Sequence, residues 1–163
     1  MQIPSFAVTL RLLLFILLGT AGLLSTACKK DNPNDEEIIK KYLNDNKITN
    51  AQRQGSGLYY VPVTTDTTAV RAAANKTVSV LYTGALMDGT VFDASSRNGN
   101  KPISFVLGRG QVIDGWDEGI ALMRKGEKGV LLIPSALGYG ARSVGAIPAN
   151  SVLRFDVELV DVK

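Results

Sequence analysis

The stretch Gln111-Val-Ile-Asp-Gly-Trp-Asp-Glu-Gly-Ile120 holds the single tryptophan of the 163-residue chain. The largest side chain type stands between glycines, three residues after the apolar pair Val112-Ile113. It reads either as a core residue or as the floor of an apolar pocket, and a pocket floor is expected to be partly exposed. Locally the stretch predicts a helix. Asp114 is placed to cap it and Asp117 stands at the capping-box position. Trp116, Ile120 and Met123 share one face. Arg124, Lys125 and Gly126 supply a basic last turn and a stop, for a helix of about two to three turns.

On both sides of this stretch the apolar period is two. Leu58–Val63 predicts a strand, with Pro62 pointing to an edge position. Thr77–Thr83 predicts another, with Val78, Val80 and Tyr82 on one face. Asp88-Gly89 is a hairpin signal returning into Thr90–Asp93. Ile103–Leu107 and Lys128–Ile133 follow the same pattern, the latter closed by Pro134. Residues 136–149 form a glycine-rich, shaped loop. In Leu153–Val160, Leu153, Phe155, Val157 and Leu159 face inward while Arg154, Asp156 and Glu158 face out. The expectation is an α+β domain over residues 56–163. Its antiparallel twisted sheet of about five to six strands wraps around one short helix.

The N-terminal third reads differently. Residues 1–27 carry one arginine, an apolar run and then small residues, the pattern of a secretory signal peptide. A membrane-spanning helix needs about 20 apolar residues, and the run is borderline for that. What decides is Leu23-Leu-Ser-Thr-Ala-Cys28, which resembles a bacterial lipobox with Ser25 where leucine is usual. The resemblance implies lipidation of Cys28, a membrane lipid anchor and residence at the cell envelope. Lys29 after the cysteine favours the outer membrane. Residues 28–55 then comprise the lipidated cysteine, a polar tether and a short helix at Asp35–Leu43. That helix has its acids first and its lysines last, and Ile38, Ile39, Tyr42 and Leu43 form a stripe that packs on the domain surface.

Composition excludes several chemistries. The formal charge is +3, and +2 once residues 1–27 are removed, which argues against nucleic acid as a partner. The chain has no histidine and a single cysteine. No disulfide can form within it, the usual transition-metal sites cannot be built, and histidine-based acid–base catalysis is ruled out. No metal and no cofactor is expected. Tyr82, the Phe92-Asp93 pair, Val112-Ile113, Trp116, Tyr139 and Phe155 supply apolar surface and a few polar groups without a nucleophile–base pair. Such a set suits a concave pocket for an apolar ring.

Four motifs, in order, are similar to those of the FKBP-type peptidyl-prolyl cis-trans isomerases. They are Val80-Leu-Tyr-Thr-Gly-Ala-Leu-Met-Asp-Gly-Thr-Val-Phe-Asp-Ala-Ser-Ser96, Phe105 through Gly119, Ile133-Pro-Ser-Ala-Leu-Gly-Tyr-Gly140 and Ile147 through Leu159. The resemblance implies a prolyl isomerase acting on proline-containing unfolded or exported polypeptides, with macrolide inhibitors as candidate ligands. It implies Asp93, Tyr139 and Tyr82 as catalytic residues. Phe92, Val112, Ile113, Trp116, Ile147 and Phe155 would bind substrate, with Trp116 as the floor of the proline pocket. Tyr139 would hydrogen-bond a substrate carbonyl and Asp93 would sit beside the twisting amide. Two positions depart from the family pattern: Ile103 replaces an aromatic wall, and the loop 141–146 lacks a histidine. Arg97 lies where an arginine often pairs with the aspartate. The helix at 35–43 is too short for the long dimerising arm of some relatives, so a monomer is expected. A non-catalytic chaperone or peptide-binding module on the same fold, and a structural lipoprotein with a degenerate pocket, are the competing readings.

Overall fold

The structure is a computed structural model that describes residues 33–163. The segment read as a signal peptide, Cys28 and the start of the tether lie outside the described residues. The described chain forms helix α1 (Pro33–Asp45) and strands β1 (Gln52–Arg53), β2 (Tyr59–Thr64), β3 (Thr77–Leu86), β4 (Val91–Ala94) and β5 (Ile103–Val106). Helix α2 (Asp114–Ile120) and strands β6 (Lys128–Ile133) and β7 (Leu153–Val162) follow. All strand pairings are antiparallel, in the order β1-β2-β6-β7-β3-β4, with β5 also on β3.

The α+β architecture is as expected, but the sheet has seven strands rather than five to six. The two-residue β1 offers no periodicity to read. The long β3 carries two successive partners on one side. Thr77–Val80 pairs with β5, and Thr83–Ala85 pairs with β4. Its other side runs along β7 from Val78 to Leu86. Pro62 sits beyond the reach of β1, next to a register shift, where its missing N–H costs no ladder bond.

Both faces of the sheet are covered at one end. On one face, Trp116 and Ile120 of α2, with Met123 just beyond it, pack on Val78, Val80, Leu131, Ile133, Phe155 and Leu159. On the other, Ile39 and Leu43 of α1 pack on Tyr59, Val61, Leu132 and Val152. This explains why Tyr59, Tyr60 and Val61 are all buried in succession: neighbours point to opposite faces and each face has its helix. Full burial of one such aliphatic side chain contributes about 1.5–3 kcal/mol. The folded body therefore includes α1 and β1, both upstream of residue 56.

Helix α2 is seven residues long, shorter than the spacing predicts, and Met123 and Arg124 lie beyond its end. Its N-cap is Ile113, which makes no side-chain cap bond, and Asp114 stands one place further in, as the first residue of the helix. The Asp117 carboxylate accepts the N–H groups of Gly108 and Gly110, both at 2.9 Å, and ties the preceding turn to the helix. The glycines of the opening motif have a packing reason. A Cβ on Gly115 would stand 2.5 Å from Ile133 Cγ2, and one on Gly119 would stand 2.6 Å from Leu131 Cδ2. Their absence of side chains lets α2 lie directly on β6.

Candidate functional site

A cleft of about 420 Å³ opens between α2, the sheet and the loop after β6. It gathers all nine residues singled out above: Tyr82 from β3, Phe92 and Asp93 from β4, Val112, Ile113 and Trp116 around the start of α2, Tyr139 and Ile147 from the long loop, and Phe155 from β7. Hairpin β3–β4 brings the Phe92-Asp93 pair beside Tyr82, because Gly84 pairs with Asp93 on one side and with Phe155 on the other. A Cβ on Gly84 would meet Phe92 Cε2 at 2.6 Å and Phe155 Cε1 at 2.7 Å, so these two rings close over the glycine.

The aromatic walls meet edge to face. The Trp116 ring lies 5.1 Å from Tyr82 at 83° and 5.2 Å from Phe155 at 85°. Phe92 lies 5.5 Å from Phe155 at 80°. Such pairs contribute about 0.5–1.5 kcal/mol beyond their area and hold the walls in fixed orientation. Trp116 is only 4% exposed, not the partly exposed floor that a pocket reading implies. It lines the cleft and also serves the core, where Phe105 packs against it at 5.9 Å. Its buried Nε1 has no hydrogen-bond partner among the described residues.

The polar groups are few. The Tyr82 hydroxyl donates to Asp93 Oδ2 at 2.5 Å, and Asp93 Oδ1 accepts the Ala94 N–H at 2.8 Å. Burial, followed by the adjacent Asp93 carboxylate, pushes the Tyr82 phenol up to about 12. Arg97 does not pair with Asp93. Its guanidinium donates to the carbonyls of Phe92 and Val91 at 2.5 and 3.0 Å, which braces β4 from behind. The Tyr139 hydroxyl and the Ile113 N–H have no acceptor among the described residues. Both donors belong to residues that line the cleft.

Four further residues line the cleft that sequence reading did not single out as site residues: Gln111, Val144, Gly145 and Ala146. The Gln111 side-chain amide oxygen, Oε1, accepts the Val106 N–H at 2.8 Å. Val144 and Ile147 exchange paired backbone bonds of 2.9 Å, which turn the loop tip over the cleft. A four-residue hairpin tip has no periodicity by which to find it. Ile103, the departure from an aromatic wall, also lines the cleft and is 39% exposed. Among the described residues no group of three or more potential metal ligands occurs.

With this geometry in hand, comparison with known proteins is specific. The model of the family described as FKBP-type peptidyl-prolyl cis-trans isomerase matches residues 68–160. FK506-binding protein 2 of Debaryomyces hansenii is 54% identical over 97 residues, 60% of this chain and 71% of that protein. The FKBP-type isomerase FkpA of Aeromonas hydrophila is 42% identical over 139 residues, 82% of this chain but 49% of that protein. The chain thus spans about half the length of that relative. The crystal structure of FkpA from Escherichia coli superposes with a TM-score of 0.69 at 39% identity, covering 80% of this chain and 59% of that one.

Proposed function

The chain belongs to the family of FKBP-type peptidyl-prolyl cis-trans isomerases and is such an isomerase, and from that premise we propose that it assists the folding of exported proteins at a bacterial cell envelope. The observation that carries the catalytic reading is the cleft itself, an aromatic box with Tyr82 bonded to Asp93 and no nucleophile–base pair.

Rotation about a peptide bond has a barrier of about 18–20 kcal/mol because twisting destroys the partial double bond. The two X–Pro isomers are close in energy, so the chemistry is entirely in the barrier. No bond breaks, and the enzyme needs only to bind the twisted amide better than either planar form. A twisted amide carries less charge on its oxygen, so a dry, apolar site favours it over the planar ground state. Trp116, Phe155, Val112, Ile113, Ile147 and Phe92 grip the pyrrolidine ring. The Ile113 N–H and the Tyr139 hydroxyl hold substrate carbonyls in a bent path. Asp93, steadied by Tyr82, stands beside the rotating bond. Each 1.4 kcal/mol of preference for the twisted form is worth about tenfold in rate. The same cleft takes macrolide inhibitors, a reading supported by the relatives whose names are FK506-binding proteins.

The envelope location rests on residues 1–28. Cleavage of residues 1–27 and lipidation of Cys28 tether the folded body to the outer membrane through residues 29–32. The bacterial FkpA relatives support the bacterial setting. The test of activity is isomer exchange by NMR in a short X-Pro peptide, with full-length protein in detergent and Asp93→Ala beside it. Acceleration that falls in the variant is expected, and no acceleration by folded protein across several X residues would return the chain to the binding-module reading. The anchor is tested by fractionating cells that make the full chain or Cys28→Ser. An equal soluble fraction for both would sink it.

A further inference from the structure

Asp35, in the first turn of α1, is 1% exposed, the most buried of the charged side chains described. It lies outside the segment that matches the family model. Its Oδ2 accepts two hydrogen bonds from one residue a hundred positions away, the Ser135 N–H at 2.8 Å and the Ser135 hydroxyl at 2.6 Å. Its Oδ1 is buried without a partner. A half-paired buried carboxylate is costly, and an apolar residue would serve packing alone better. What the carboxylate does that an apolar side chain cannot is fix Ser135 in place.

Ser135 opens the short 3-10 turn Ser135–Leu137. Its carbonyl accepts the N–H groups of both Gly138, at 3.0 Å, and Gly140, at 2.8 Å. These are the two residues flanking Tyr139. The donors of Ser135 are therefore held by α1, and its acceptor holds both shoulders of the cleft tyrosine.

We propose that Asp35 is a positioning residue that sets Tyr139 for the isomerase reaction through Ser135, and that α1 is thereby a working part of the site. The inference rests on the reading in which Tyr139 serves substrate in the cleft. Helix α1 is otherwise fastened to the sheet side by Ile39 and Leu43, by the Tyr59 hydroxyl on Glu36 at 2.8 Å and by Arg53 on Glu36 at 3.2 Å. Loss of Asp35 thus leaves the helix docked and frees only the turn.

The test is a double-mutant cycle on the full-length protein, reading kcat and KM by exchange NMR in an X-Pro peptide for wild type, Asp35→Ala, Tyr139→Phe and the pair. Activities are corrected for the folded fraction. Asp35→Ala is expected to lower kcat/KM on the order of tenfold, mostly in kcat, because small misplacements at a site are amplified in rate. In the Tyr139→Phe background the same substitution is expected to change kcat/KM less than about twofold, the non-additivity of two residues on one path. The Tyr139 ring resonance shifts in Asp35→Ala. If Asp35→Ala does not fold, Ser135→Ala replaces it in the same cycle, with a smaller loss and the same dependence on Tyr139. Equal loss in both backgrounds, or a Tyr139-dependent enzyme indifferent to Asp35 and Ser135, would overturn the clamp alone. Equal activity of wild type and Tyr139→Phe would remove Tyr139 from the site and the clamp with it.

Discussion

The Tyr82 hydroxyl and the Asp93 carboxylate, on neighbouring strands, share a 2.5 Å hydrogen bond in the wall of a cleft lined largely by aromatic and aliphatic side chains. The bond keeps the only carboxylate that lines that cleft among the described residues in one orientation, with its second oxygen on the Ala94 N–H.

Tyr82→Phe deletes that bond without changing shape. It is expected to cost about 1.5 kcal/mol, the lower end for a hydrogen bond to a charged group, and to lower kcat more than KM. Urea unfolding and exchange kinetics read the two effects. The sign at alkaline pH follows from the phenol. Its folded value is raised to about 12 from an ordinary value near 10. The stabilisation it reflects is full below about pH 10 and is lost as pH rises through about 12. Stability of the wild type should fall more steeply than that of Tyr82→Phe between those limits, and parallel curves would contradict this.

Trp116→Ala removes a ring that is both floor and core. It is expected to destabilise by about 3–5 kcal/mol, a large part of the 5–15 kcal/mol typical of a domain. Trp116→Phe should stay folded with reduced turnover. A loss below about 1 kcal/mol for the alanine variant, measured in urea, would show the ring to be dispensable to the core.

Gly119→Ala should be unfavourable although alanine is the better helix former by about 1 kcal/mol. The added methyl would stand 2.6 Å from Leu131 Cδ2 and 2.7 Å from Cδ1. Leu131 is fully buried and cannot swing away, so α2 must lift from β6. Overpacking of this kind costs about 1–3 kcal/mol. Because α2 carries Trp116, activity should fall as well. A thermal midpoint at or above wild type would show that the helix can move freely.

Ile39→Ala tests whether α1 belongs to the folded body. Ile39 is completely buried against the sheet, and its truncation should cost about 2–5 kcal/mol in urea unfolding. A variant as stable as wild type would make α1 an appendage.

Much of this was legible locally. The alternation in Leu153–Val160 and the Asp88-Gly89 turn each predict their element because period and turn chemistry are properties of a few neighbours. Other readings failed where nearby backbone groups competed for the side chain. Asp117 looks like a capping residue in sequence, but the Gly108 and Gly110 amides claim its carboxylate. Arg97 looks like a partner for Asp93, yet two backbone carbonyls hold it. The second buried face behind Tyr59 and Val61 was hidden because it needs α1, whose stripe alone does not say what it covers.

The sequence by itself determined the six longer strands and their turns, the absence of histidine chemistry and the aromatic and aliphatic residue types that line most of the cleft. These follow from composition and from contacts a few residues apart. Only the tertiary structure decided that Trp116 is core as well as floor, that β3 serves two partners in succession, and that Asp35 reaches Ser135 across a hundred residues. Side-chain burial and long-range hydrogen bonds depend on which surfaces meet, and no local pattern in a chain encodes its distant partner.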